Sequence, residues 1–406
     1  MSASTRNLGW LDDNDLQRLL RALNEDGEAK IAGGAVRNAL LGEGVVDVDV
    51  ATTHEPARAR KVLEGAGFRV VPTGVEHGTV TAIGDGDPIE VTTLREDVET
   101  DGRHATVSFG TDWRRDAERR DLTMNALYME ADGTVYDPLG VEDDVHARRV
   151  RFVGDAETRI REDYLRSLRF FRFFAWYGAF RPDADGLRAA ARTKDGLSDL
   201  SPERVWSELK RLLAAPDPGR ALLWMRQTGV LSAVVPETEG WGIDAVPGLV
   251  ATERAFGWTP DPLLRLCAMI RPHCETVEAV AKRLKLSNEE RDRLLAWSQA
   301  ERPIPSRSDP ELARLMYRTT EGGTVDTLRL ALAKAHAAED MEEVAQFRRQ
   351  FDFAMNWERP DMPVQGRDLI ERSMTPGPAV GERLREIEDR WVKSDFALSK
   401  DELLAE

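Results

Sequence analysis

Hydrophobic and polar positions change their period about a third of the way along the chain. Leu16, Leu19, Leu20 and Leu23 recur on one helical face, which predicts an amphipathic helix over 14–24 with Asn14 as its cap. "EAKIAGG" predicts a short strand closed by a glycine pair, and "AVRNALLG" a short helix stopped by Gly42. "VVDVDVAT" alternates with period two, so it predicts a strand with Val46, Val48 and Val50 facing the core and Asp47 and Asp49 projecting together from the other face. "THEPARARKVLEGAG" predicts a helix capped by Thr53, with Pro56 in its first turn and Gly65 or Gly67 at its end. "FRVV", "GTVTAIG" and "PIEVTTLR" then read as strands.

This is the pattern of an α/β domain with a mixed sheet, closing near "TVYDPLGVEDD" at 134–144. From Val145 onward strand-like alternation stops, and helical patterns such as "PERVWSELKRLLAAP" take over. A chain of 406 residues is too long for one ordinary core. No fixed-period repeat and no long low-complexity segment interrupts it.

Composition narrows the picture further. Charged residues at 32% and hydrophobic ones at 41% suit a globular protein rather than a disordered one. A net charge of −16 means that any polyanion must meet a local basic surface. Residues 148–172 are the best candidate, with eight arginines against four carboxylates. Two cysteines, Cys267 and Cys274, form no CxxC pair, which argues against a disulfide framework or zinc site and for a reducing compartment. No apolar run approaches the roughly 20 residues needed to span a bilayer, and the N-terminus lacks a signal-peptide core. The expectation is a cytoplasmic protein with no membrane association.

Two carboxylates side by side on a strand repel each other unless a cation lies between them. Mg²⁺ fits that need, because it is commonly held by one or two carboxylates together with substrate phosphates. A solvated strand edge is the competing explanation for "DVD". The sequence just before it favours the ion. Gly33 and Gly34 let the backbone approach a ligand, the following helix start offers free N–H groups to a phosphate, and Arg37 adds a bidentate cation one turn in. The set describes a triphosphate and its magnesium. Glu90, between Ile89 and Val91, is either a third carboxylate beside the aspartates or an exposed strand residue.

"GGAVRNALLGEGVVDVDVAT", "RRDLTMNAL" at 119–127, "YDPLGVEDD" at 136–144 and "RIREDYLRSLRFFRF" at 159–173 together resemble the bacterial-type (class II) tRNA nucleotidyltransferases. These are the CCA-adding enzymes and their poly(A) polymerase relatives. The likeness runs almost continuously over the first 180 residues or so, and "PVQGRDLIERSMTPGPAVGERLREIEDRW" at 363–391 resembles the family's C-terminal segment. The resemblance implies an α/β nucleotidyltransferase head with a five-stranded mixed sheet, followed by an all-α neck, body and tail. The expected boundaries are 1–145 for the head, 146–210 for the neck, 211–300 for the body and 301–406 for the tail. It implies that Asp47 and Asp49 bind the catalytic Mg²⁺, with Gly34 and Arg37 on the triphosphate. It also implies Arg120 and Asp121 on phosphate and ribose, Asn125 supporting the sugar, and Arg103 in a loop at 94–109 needed for adding A. Two positions depart from the family pattern: Asn38 stands where the motif GGxVRD carries Asp, and Ser373 where glycine is customary.

Asp163 and Arg166 are i, i+3 neighbours if the helix is continuous, and Arg169 and Arg172 extend the row. An acceptor beside a donor matches the amino group and ring nitrogen of cytosine and of adenine, and mismatches uracil and guanine. An unpaired buried polar group costs about 1–3 kcal/mol, so such a pair selects two nucleotides of four. The competing explanation is a Glu162–Arg166 ion pair, worth a few tenths of a kcal/mol. The family gives "EDxxR" this same base-reading role, and Arg169 and Arg172 are expected to continue it towards the triphosphate or the tRNA end.

The expected activity is template-independent addition of C, C and A to the tRNA 3′ end from CTP and ATP. A poly(A) polymerase, a CC-adding or A-adding specialist, and a catalytically inactive RNA-binding relative stay open. A phosphohydrolase function is not expected, since no His is followed by Asp.

Overall fold

The computed structural model describes residues 8–74, 78–97, 107–319 and 322–405. It divides into two compact units, Met1–Leu200 with Trp224–Ala233, and Ser201–Leu223 with Val234–Glu406.

The first unit opens with α1 (Asn14–Leu23), whose Leu16, Leu19, Leu20 and Leu23 are all buried. Its cap is Asp13 rather than Asn14: the Asp13 carboxylate accepts from Leu16 N at 2.9 Å. There follow β1 (Ala29–Ala32), α2 (Gly34–Leu41), β2 (Asp49–Thr52), α3 (Pro56–Gly65), β3 (Arg69–Gly74), β4 (Thr79–Ile83) and β5 (Ile89–Thr93). Glu55, not Thr53, precedes α3, because the Thr53 hydroxyl already accepts from Glu28 N at 2.9 Å.

Among the described residues the sheet has seven strands, not five, in the order β3-β4-β5-β2-β1-β8-β9. The extra pair, β8 (Tyr128–Met129) and β9 (Val135–Tyr136), spans two residues each, too few for alternation to show in the sequence. The mixed character holds: β2 runs parallel to β5, and every other neighbouring pair is antiparallel. A separate two-stranded ladder joins β6 (Arg95–Asp97) to β7 (Val107–Phe109).

β2 begins at Asp49, later than "VVDVDVAT" suggests. β1 offers only four residues to pair with, ending at Ala32 opposite Asp49, so Val46 to Val48 have no ladder on that side. Val46 is consequently 85% exposed rather than inward-facing, while Val50 is buried.

After α4 (Trp113–Glu118), α5 (Glu142–His146) and α6 (Ala156–Glu162), the long α7 (Leu165–Tyr177) and then α8 (Ala184–Thr193) complete this unit's main elements. The helix predicted through 161–174 is broken at Asp163. There the backbone is extended (φ −154°), and the Asp163 side chain accepts from Leu165 N at 3.1 Å, replacing a helical bond.

The second unit is helical. One cluster packs Tyr317, Trp391 and Phe396 edge on, and another gathers Leu312, Leu328, Leu332 and Phe347. Deep inside, Arg265 and Glu253 form an ion pair at 2.5 Å with both side chains no more than 2% exposed. Among the described residues, no helix is long and apolar enough to cross a membrane.

Candidate active site

Asp49 is the first residue of β2, and the parallel register sets it beside Glu90 of β5. Adjacent strands lie about 4.8 Å apart, so the two carboxylates are neighbours on one face. Burial raises the Asp49 carboxyl above its ordinary range, Glu90 and Asp47 raise it further, and Arg120 pulls the other way. Asp47 therefore acts on Asp49 electrostatically even though it lies ahead of the strand in irregular, exposed backbone. A knot of negative charge that raises its own proton affinity is a fitting seat for a hard divalent cation, given oxygens from a substrate to complete it. Among the described residues, no three His, Cys, Asp or Glu side chains gather closely enough to hold a metal by themselves.

Opposite the carboxylates is the turn from β1 into α2. Gly33 has φ +61°, and a Cβ there would stand 3.1 Å from Arg120 Nη1, so both backbone conformation and the nearness of that guanidinium call for glycine. Gly34 then starts α2, whose N-terminal N–H groups and dipole favour an anion. Arg37 is only 6% exposed. Its Nη1 donates to Asn125 Oδ1 at 2.6 Å, and its Nη2 donates to Tyr177 OH at 2.9 Å and Asn38 Oδ1 at 3.0 Å. The Tyr177 ring lies 4.1 Å below the guanidinium. The neutral Asn38 thus accepts from Arg37 where the family's carboxylate is expected to stand.

Arg120 is positioned by a buried carboxylate that the sequence reading passed over. Asp116 accepts from Arg120 Nη2 at 3.1 Å, from Arg119 Nε at 2.9 Å and from the Tyr128 hydroxyl at 2.6 Å. Burial works against its charge, but Arg120 and Arg119 prevail and hold its pKa down to about 2. The signal lay in "WRRDAERRD": Asp116 and Arg120 are i, i+4 partners at the end of a helix. Tyr177 was missed for a different reason, since nothing in the run "RFFAWYG" marks one aromatic as facing a guanidinium.

Asp121 is buried too. It accepts from Leu122 N at 2.9 Å, Asn125 Nδ2 at 3.2 Å and Arg169 Nε at 2.6 Å. Through Arg169, Phe173 and Tyr177, α7 faces this network, with Phe173 also 5.2 Å from the Arg37 guanidinium.

A cleft of about 480 Å³ brings together Gly33, Gly34, Arg37, Asp49, Glu90, Arg120, Asp121, Asn125 and Arg169. Asp47, Asp163, Arg166 and Arg172 do not line it. Arg166 is engaged with Glu162, the competing partner foreseen for it, and donates to Arg159 O at 3.2 Å. Arg172 lies over the Phe173 ring at 4.4 Å. The three arginines of α7 thus diverge rather than forming one row: Arg166 turns to Glu162, whereas Arg169 pairs with Asp121 and shares the Phe173 ring with Arg172. Arg103 lies outside the described residues.

Carboxylates on adjacent strands facing a glycine turn and two anchored arginines define a nucleotidyltransferase head. Residues 29–151 match the Poly A polymerase head domain, and 263–406 match "tRNA nucleotidyltransferase domain 2". Residues 179–241 match the "Probable RNA and SrmB- binding site of polymerase A". The chain is 38% identical over 383 residues to the CCA tRNA nucleotidyltransferase 1, mitochondrial, of Danio rerio, covering 93% of this chain and 86% of that one. It is 31% identical over 397 residues to the CCA-adding enzyme of Geobacillus kaustophilus, covering 95% and 94% respectively. The Bacillus stearothermophilus CCA-adding enzyme solved in complex with CTP superposes with a TM-score of 0.73 at 27% identity, covering 94% of each chain. This chain belongs to the CCA tRNA nucleotidyltransferase family, the CCA-adding enzymes.

Proposed function

We propose that this chain adds C, C and A to the 3′ end of tRNA, taking CTP and ATP, without a nucleic-acid template. The observation that carries the reading is the cleft itself: Asp49 and Glu90 in register on β2 and β5, opposite Gly33, Gly34, Arg37 and Arg120. One end suits a hard cation and the other a polyphosphate. The relatives' names and the CTP complex support the substrate class.

When bound, a divalent ion, Mg²⁺ in our reading, would be held by Asp47 and Asp49 and would supply charge neutralisation at the phosphates. The start of α2, Arg37 and Arg120 bind and orient the triphosphate. In this reading Asp121 and Asn125 support the ribose, Arg169 adds a cation to the cleft lining, and Arg172, outside that lining, continues towards the tRNA end. The tRNA 3′-hydroxyl forms a bond to the α-phosphorus and gives up its proton to water, while the bond from the α-phosphorus to the bridging oxygen breaks and pyrophosphate leaves. Asp163 and Arg166 read the Watson–Crick edge, and Arg166 must exchange Glu162 for the base to do so. The neck at 146–210 carries that selection, and the body at 211–300 and tail at 301–406 grip the tRNA by backbone shape, since duplex RNA offers little readable sequence. Two free thiols, buried Cys267 and exposed Cys274, support a reducing compartment, in our reading the cytoplasm.

The test uses tRNA transcripts ending before CCA, after C and after CC, each incubated with Mg²⁺ and CTP, ATP or both, with the 3′ ends sequenced. Stepwise C, C, A with a clean stop is expected. Long A tails would reassign the chain to poly(A) synthesis, C alone or A alone would make it half of a two-enzyme system, and no incorporation would leave an RNA-binding relative.

A further inference from the structure

At position 38 this chain departs from the GGxVRD pattern, and the substituted side chain does something a carboxylate cannot. Asn38 Oδ1 accepts from Arg37 Nε at 3.1 Å and from Arg37 Nη2 at 3.0 Å, while Asn38 Nδ2 donates to Gly44 O at 2.9 Å. The orientation of this amide is fixed by its neighbours: a guanidinium only donates and a carbonyl only accepts. Asn satisfies both at once. Asp would accept from Arg37 but turn an oxygen against the Gly44 carbonyl, losing one bond and adding a repulsion.

The Gly44 carbonyl sits in the segment that leads to Asp47. Glu43 N donates to Asn38 O at 2.9 Å, tying the front of the segment to α2, and Arg148 Nη2 pairs with Glu43 Oε1 at 2.9 Å, tying it to the chain just after α5. Beyond Gly44, the segment reaches Asp49 with no ladder to β1.

We propose that Asn38 is a positioning residue: its amide clamps the 43–48 segment to the Arg37 guanidinium and so sets the carboxylate arm of the site against its phosphate arm. The catalytic consequence rests on the function proposed above, whereas the clamp itself does not.

The experiment compares the parent with Asn38→Asp and Asn38→Ala. Amide hydrogen exchange over 42–50 is followed in the nucleotide-free protein, alongside CTP binding in EDTA and steady-state C addition. Loss of one net hydrogen bond predicts exchange in this segment about fivefold faster in both variants. Asn38→Asp should keep Arg37 in place but share its charge, so CTP binding in EDTA weakens severalfold. In Asn38→Ala the guanidinium loses one acceptor while Asn125 and Tyr177 still hold it. In both variants kcat should fall more than KM rises, because the segment carrying Asp47 is loosened. Unchanged exchange over 42–50 in Asn38→Asp, with the variant melting near the parent temperature, would overturn the clamp. If instead exchange quickens but the parent protein adds no nucleotide to any transcript, the clamp stands and the proposed activity falls. Should one variant fail to fold, the other carries the test: exchange over 42–50 faster than in the parent supports the clamp, and unchanged exchange counts against it.

Discussion

Arg169 Nε donates to Asp121 Oδ2 at 2.6 Å, joining the arginine-bearing helix α7 to the "RRD" turn of the head. The same carboxylate accepts from Asn125, whose own carbonyl oxygen holds Arg37. One chain of donors and acceptors therefore runs from α7 to Arg37. Burial disfavours the Asp121 charge, and Arg169 outweighs it.

Arg169→Met should leave Asp121 buried without its cation and slacken Arg37 through Asn125. We expect kcat/KM for CTP and for ATP to fall together by roughly 10–100-fold, because the shared phosphate and sugar contacts are lost rather than a base-specific one. A loss confined to one nucleotide would contradict that chain.

Base choice is expected to separate from chemistry. Asp163→Ala should admit UTP and GTP while CTP binding in EDTA remains, and Asp47→Ala should abolish transfer while the refusal of UTP binding persists. Glu162→Gln should act in the opposite direction to Asp163→Ala, freeing Arg166 from its present partner and lowering KM for CTP. Single-turnover extension with labelled CTP, UTP or GTP tests Asp163→Ala, equilibrium binding of CTP and UTP in EDTA tests Asp47→Ala, and steady-state KM for CTP tests Glu162→Gln. If Asp163→Ala still refused UTP and GTP as strictly as the parent, the base-reading role would be wrong.

Asp116 sets an acid limit on the head. Its folded pKa of about 2 lies below the ordinary value of about 3.9, so its stabilisation is fully present above that ordinary value and is lost as pH falls towards 2. The depression corresponds to about 2–3 kcal/mol. Urea unfolding followed by fluorescence between pH 5 and pH 2 should show this loss in the parent. Asp116→Asn should start less stable at pH 7 and show a correspondingly shallower decline.

Much of this site was legible because its parts are local. The glycine turn, the Asp-x-Asp segment and the Glu90 strand each announce themselves within a few residues, by period or by the conformational needs of glycine. What the sequence could not convey was length and partnership. β2 starts at Asp49 because β1 stops at Ala32, a fact about the neighbouring strand rather than about "VVDVDVAT". β8 and β9 are too short to show a period. The break at Asp163 turns on whether a side chain or a carbonyl captures the Leu165 amide, and helical spacing does not decide that competition. Tyr177 reaches Arg37 from 140 residues away, a distance at which periodicity carries no information.

The ion pair inside the second unit gives the sharpest stability prediction. Arg265 donates to Glu253 Oε2 at 2.5 Å and to Ala215 O at 2.5 Å, and also reaches Leu213 O, with no more than 2% of either side chain exposed. Removing one partner leaves a charge in a dry interior and frees two buried carbonyls. Arg265→Met should therefore cost about 3–5 kcal/mol. Glu253→Gln should cost less, since the amide oxygen still accepts from the guanidinium. The double variant Arg265→Met with Glu253→Leu removes both charges and leaves only the two carbonyls unsatisfied, so it should recover a large part of the loss. Urea unfolding of these proteins together with the Glu253→Leu single variant closes the double-mutant cycle and measures the coupling directly. If the double variant proved as unstable as Arg265→Met alone, the cost would lie in the Leu213 and Ala215 carbonyls rather than in the stranded carboxylate, and Arg265 would count as a backbone brace more than as half of an ion pair.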